Sequence, residues 1–156
     1  MTPADLQQLL IERARGIPGI TGAGKRDDDS PYGLTVTLEG GGQVWWTITG
    51  ASGSAPAVTN GDGDGDGGVE VPDLTGSSVP VALVEQALVA AAVGADDAAG
   101  GIVRVDRYST RPDPPAVRYG ATLECRDGWK LFLSCYGTAR PGHTRPEQPY
   151  QPLSHI

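Results

Sequence analysis

The sequence predicts an α+β domain in which two repeated β-hairpins form an antiparallel sheet with two helices packed on one face. Three observations predict it. Segments 32–50 and 119–137 align without a gap, 87 positions apart, from Tyr32-Gly33 and Tyr119-Gly120 to Gly50 and Gly137. Both segments alternate apolar and polar residues with period two, the mark of a half-buried strand. Upstream of each segment lies an apolar stripe at helical spacing.

The first helix starts at Thr2-Pro3-Ala4-Asp5. Thr2 can cap it, Pro3 suits the first helical position, and Asp5 can answer the cap as in a capping box. Leu6, Leu9, Leu10 and Ala14 form its buried stripe, and Gly16 and Pro18 end it. The first hairpin spans Leu34–Ile48. Its expected register sets Leu38 opposite Val44, Val36 opposite Trp46 and Leu34 opposite Ile48, around a Gly40-Gly41-Gly42 turn that needs a positive φ. A second helix is expected over 80–93, with Ser78 as cap, Leu83, Val84, Ala87, Leu88 and Ala91 buried, and Gly94 as terminator. A strand follows from Ile102 to Tyr108, and the Pro-rich stretch 111–115 then forces a turn or an extended link. The second hairpin sets Cys125 opposite Leu131, Leu123 opposite Leu133 and Ala121 opposite Cys135, around Asp127-Gly128-Trp129.

This order, helix then hairpin, then helix, strand and hairpin, suits an antiparallel sheet covered on one face. It gives one domain, 1–156, of two pseudo-repeats over about 2–50 and 79–138. A Gly/Asp-rich loop, 51–78, joins them, and a Pro-rich tail, 139–156, is expected to be loosely attached. Duplication and convergence of two ordinary hairpins both account for the repeat. In the expected register Cys125 and Cys135 share one face but lie about four positions apart along the strands, too far for a disulfide. They read as buried thiols acting as small hydrophobes.

Composition narrows the function classes. The net charge of −7 argues against direct nucleic-acid binding, which needs Lys and Arg at phosphates. Residues 1–97 carry 4 Lys/Arg against 14 Asp/Glu, whereas residues 98–156 carry 8 against 5. Such asymmetry can steer a partner to one face. No segment approaches the roughly 20 apolar residues of a membrane span, and the start of the chain has no signal-peptide pattern. The expected place is the cytoplasm, with a virion component as the alternative.

Residues 62–73 carry the sharpest local pattern: Asp62, Asp64 and Asp66 alternate with glycines, followed by Gly67-Gly68-Val69-Glu70-Val71-Pro72-Asp73. This pattern resembles the calcium loops of EF-hands and dockerins. The resemblance implies calcium held by Asp62, Asp64, Asp66, the Gly68 carbonyl and Asp73, with Glu70 acting through water. It covers twelve residues. No helix precedes them, and the last ligand is Asp rather than Glu. A solvated linker between the halves is the competing reading.

Catalytic signals are poor. His143 and His155 lie in the tail outside any metal-binding spacing, and Gly50-Ala51-Ser52-Gly53-Ser54 is out of register with a nucleophile elbow. A non-enzymatic protein is expected, without a cofactor unless calcium binds. The outward faces of the hairpins are the candidate contact surface. Trp45 and Phe132 occupy equivalent positions there, among Thr35, Thr37 and Thr47 on one hairpin and Thr122, Glu124 and Ser134 on the other. Such aromatics suit a protein–protein interface, or else pack under neighbouring threonines or the tail. Trp129 at the second hairpin tip and the acidic run Asp27-Asp28-Asp29 are further contact candidates. The leading expectation is a small acidic protein-binding domain, an immunity or inhibitor protein against a basic, nucleic-acid-directed toxin. The first alternative is a structural or assembly component, with copies of itself as partner. The second is a calcium-dependent binding module.

Overall fold

The computed structural model describes residues 1–26, 31–53, 70–94, 101–113, 116–143, 152–154 and 156. The first helix, α1 (Pro3–Ala14), begins as its sequence dictates. Thr2 Oγ1 accepts from the Asp5 backbone N–H, and the Asp5 carboxylate accepts from the Thr2 N–H. The hydrogen bond from the Thr2 backbone holds Asp5 below its ordinary carboxylate pKa. This cap therefore contributes fully at neutral pH and fades as pH falls below about 4. Thr2→Ala is expected to cost about 1 kcal/mol, read from the urea midpoint.

Six strands follow the order β1 (Ile20–Lys25), β2 (Leu34–Leu38), β3 (Gln43–Ala51), then β6 (Lys130–Ala139), β5 (Gly120–Cys125) and β4 (Ile102–Arg107), all antiparallel. The second helix, α2 (Val81–Val93), packs against β4 and β5, α1 packs against β1–β3, and the helices touch each other. Leu6 and Leu10 of α1, Val84 and Leu88 of α2, and Leu34, Trp46, Leu123 and Leu133 of the sheet meet in one core. Burying each such side chain contributes about 1.5–3 kcal/mol.

The strand β1 goes beyond the sequence expectation. Ile20-Thr21-Gly22-Ala23-Gly24-Lys25 has two glycines and weak strand propensity, so only pairing with β2 makes it a strand. Its equivalent in the second half is β4, and the likeness extends to irregularities. The β1–β2 ladder shifts between Ile20 and Gly22, and the β4–β5 ladder shifts between Ile102 and Arg104. Both halves therefore run helix, strand, hairpin. They meet where β3 pairs β6, and there Thr47 faces Ser134, its own counterpart 87 positions on.

The arms pair as expected, but the register in both hairpins is displaced by two residues. Val36 faces Val44 and Leu34 faces Trp46, while Leu123 faces Leu131 and Ala121 faces Leu133. The turns explain it. Gly41 (φ 95°) and Gly128 (φ 92°) are the only glycines shared by the two loops. Each ends a three-residue loop closed by the same bonds, Gly41 N–H to Leu38 O and Gly128 N–H to Cys125 O. A left-handed glycine at the last loop position is what such turns require. An even displacement keeps every side chain on its expected face.

Cys125 and Cys135 are free and buried on the helix-covered side. Burial raises both thiol pKa values, that of Cys135 to about 12. A raised thiol pKa favours folding below the ordinary value of 9.0, and that contribution disappears as pH climbs toward 12. Neither thiol is expected to react with Ellman's reagent at pH 8 in native protein, and both are expected to react in urea. Rapid native labelling would contradict the burial.

At α2, Ser78 is not the cap. Pro80 occupies that position without a side-chain bond, and the Val81 N–H donates instead to the Ser154 carbonyl at 2.9 Å. Val79 and Ile156 exchange two backbone bonds, and Ile156 is 5% exposed within the core. The end of the tail is thus docked, not loose, and it satisfies a helix terminus that the local sequence leaves open.

Candidate functional site

Both helices cover one face of the sheet, so the other face is set by the outward residue of each pleat. In the first half the outward positions hold Gly22, Gly24, Thr35, Thr37, Gln43 and Trp45. Their ladder equivalents in the second half are Arg104, Asp106, Thr122, Glu124, Lys130 and Phe132. Six uncharged residues in one half are matched by a set with four charges in the other. The second set, joined by Arg111, lines an open cleft of about 360 Å³.

Cross-strand neighbours order these charges. Glu124 forms part of the cleft floor, its side chain only 11% exposed, with Lys130 Nζ 3.4 Å from one oxygen and Arg104 Nη1 4.0 Å from the other. Arg111 Nε donates to Asp106 Oδ1 at 3.1 Å, and its Nη2 donates to Oδ2. That two-pronged bond raises the Arg111 pKa above its ordinary value. The Arg111 guanidinium also lies 4.6 Å from the Tyr108 ring centroid, and the Tyr108 and Thr122 hydroxyls share a hydrogen bond of 2.9 Å. Chemically the arrangement can receive a charged group beside an aromatic floor.

Each sequence candidate has its place. Phe132 lies in the cleft, half-buried. Trp45, open to a reading as a contact or as a side chain packed under its neighbours, is only 6% exposed and lies outside the main core. Arg26 crosses Gly33, the residue before β2, where any Cβ would meet its Cδ at 2.3 Å, donates to Thr47 Oγ1 at 2.9 Å, and stacks 4.0 Å from the Tyr136 ring centroid. The first-half face thus carries the chain's own arginine, at Thr47 and Tyr136. Thr47 is half-buried beneath that bond. Trp129 is half-buried against the core rather than free at its hairpin tip.

Asp27, Asp28 and Asp29 lie outside the described residues, as do Asp62, Asp64, Asp66 and Gly68. Asp73 is exposed. Its Oδ1 accepts from the Thr75 N–H and hydroxyl, and the backbone bond lowers its pKa. Arg104, Asp106, Arg111 and Lys130 were not among the sequence candidates. The signal that could have found them was the pairing of strand 102–107 with the second hairpin, which places its alternate residues beside Glu124 and Phe132.

Phe132→Ala is expected to change stability by less than about 1 kcal/mol, because the ring is half-buried on the helix-free side. A loss above about 3 kcal/mol in urea unfolding would place it in the core instead. No protein-family model, no curated protein and no solved structure matches the chain.

Proposed function

We propose that this chain is a non-enzymatic protein-binding domain that meets its partner on the helix-free face of β4–β6. The observation that carries the reading is the charged cleft around Phe132, present in one half and replaced by Gly, Thr, Gln and Trp at the equivalent positions of the other. Interfaces join an aromatic centre to a rim of charged groups. With a net charge of −7, a basic protein is the partner that long-range attraction favours. An immunity or inhibitor protein against a nucleic-acid-directed toxin fits that description. No helix among the described residues is long and apolar enough to cross a membrane.

Co-expression with each neighbouring reading frame provides the test. One of those frames should arrest growth when expressed alone and be neutralised, in a stable complex, when this chain is present. If no neighbour is toxic or bound, the inhibitor reading fails. The second reading, an assembly component, is favoured by β1 and β4, which among the described residues stand at the two ends of the sheet as edge strands. It requires rings or higher oligomers in the solution mass, whereas an inhibitor gives a monomer or dimer. Calcium binding at 62–73 is a separate proposal. It requires the melting temperature to rise with millimolar calcium, since a ligand held only by the folded chain stabilises it.

A further inference from the structure

The two halves provide an internal control for the charges in the cleft. Strands β1–β3 build the same ladder, with the same turn and the same irregularity, using no charged side chain at the six outward positions. The ladder therefore does not need Arg104, Asp106, Glu124 and Lys130 in order to form. An ion pair whose cation stays in contact with solvent, as Arg104 and Lys130 do, stabilises little, so folding gives weak reason for these two cations. Recognition remains.

The balance of charge indicates what is recognised. Arg111 and Asp106 neutralise each other through two hydrogen bonds. Around Phe132 and Thr122 this leaves two cations, Arg104 and Lys130, sharing the single carboxylate of Glu124. Arg104 is the less committed of the two. Its side chain is 66% exposed, and at 4.0 Å Glu124 Oε2 is beyond hydrogen-bond reach of its Nη1. One incoming anionic group bound between them would balance the set.

We propose that the Arg104–Lys130 end of this cleft receives a carboxylate from an acidic segment of the protein partner. Arg104 supplies a planar fork that matches a carboxylate, Lys130 a second positive charge, and Phe132 an apolar floor for the methylenes of an Asp or Glu side chain. Glu124 holds the two cations apart and limits the site to a single added negative charge. The inference deepens the protein-binding reading and rests on it. A basic partner would then be guided by the overall field and placed by one acidic contact.

The test is a titration of the ¹⁵N-labelled full chain with a blocked hexaglutamate peptide, with blocked hexalysine and inorganic phosphate at equal concentration as controls. The expected result is a set of salt-sensitive shifts confined to Arg104, Thr122, Lys130 and Phe132. Arg104→Gln and Lys130→Gln should each weaken binding by about fivefold or more. Arg140→Gln, an exposed basic site elsewhere, should leave it unchanged. Absence of localised shifts, an equal response to hexalysine or phosphate, or indifference to Arg104→Gln would overturn the inference. The substituted side chains lie on the surface, and unchanged spectra away from the cleft verify that the fold is intact. Failure of the growth test with intact hexaglutamate binding would remove the inhibitor reading and leave this site standing. Successful neutralisation by the Arg104→Gln/Lys130→Gln double variant would remove the site and leave the inhibitor reading.

Discussion

Replacing Glu85 with Ala is expected to destabilise the chain by about 3–5 kcal/mol, the range for removing one partner of a buried ion pair. Glu85 lies on α2 with no exposed side-chain area. Its carboxylate accepts from Arg107 Nε at 2.9 Å, from the Ser109 N–H and hydroxyl, and from the Gly120 N–H at 2.7 Å. Four donors from three places in the second half converge on one side chain. They fix the helix to the end of β4, to the short 3-10 turn over Tyr108–Thr110, and to the start of β5. Alanine would leave the Gly120 N–H buried without its partner and the Arg107 guanidinium, in a partly buried setting, without its counter-charge.

The first half makes the same connection with the opposite polarity. Gln7 of α1 is 5% exposed, and its Nε2 donates to the carbonyl of Gly33, the glycine equivalent to Gly120. The connection there is a neutral amide, and Lys25, the ladder equivalent of Arg107, is exposed. Removing both charges should therefore cost less than removing one. Urea unfolding of Glu85→Gln, Arg107→Met and the double variant measures this as a coupling energy, expected at about 2 kcal/mol. Additive losses would show that the two side chains act separately. A Glu85→Ala loss below about 1 kcal/mol would show the carboxylate to be dispensable.

Gly120→Ala is the second large effect, expected at about 3 kcal/mol or more. Gly120 opens β5 with φ 152°, a conformation L side chains rarely adopt, and a Cβ there would lie 2.2 Å from the Leu133 carbonyl oxygen. The Tyr108 ring crosses directly over it, 2.9 Å from that Cβ position, on its way to Thr122. Backbone strain and overpacking, each about 1–3 kcal/mol, act together here. Gly24→Ala is the control, since nothing lies within 4 Å of the added methyl. It should be neutral or slightly stabilising by narrowing the unfolded ensemble. Equal urea midpoints for the two variants would refute the close approach at Gly120.

The same glycine has another consequence. In the first half Arg26 crosses Gly33 as Tyr108 crosses Gly120. Arg26 reaches Thr47 and Tyr136, whereas Tyr108 bonds Thr122 and the cleft around Phe132 is open. Two hairpins of the same build thus present different outer faces.

Much of the fold was legible from periodicity. Alternation in 34–48 and 121–135 showed which side chains turn inward, because a strand's side chains have period two whatever its partner. Thr2 and Asp5 announced the first helix locally, since a capping box needs only neighbours three residues apart. The exact hairpin partners were less legible, because three consecutive glycines compete for the first turn and the repeat carries the same ambiguity into the second. Comparing the loops would have singled out Gly41 and Gly128. The β1 strand, the cap on α2 and the burial of Glu85 left little local trace. Each depends on a partner far along the chain: β2, Ser154, and Arg107 with Gly120.

By itself the sequence determined the α+β class, the two hairpins, the inward faces and the location of both thiols, since all of these follow from short-range pattern and from hiding apolar surface. Only the tertiary structure decided which outward aromatic is reached by solvent, how the end of the chain closes the second helix, and that Arg104, Asp106, Arg111 and Lys130 gather beside Glu124 and Phe132. The physical reason is that period two assigns a face but not a neighbour. Neighbours across strands are set by strand order and register, which exist only once the whole sheet has assembled.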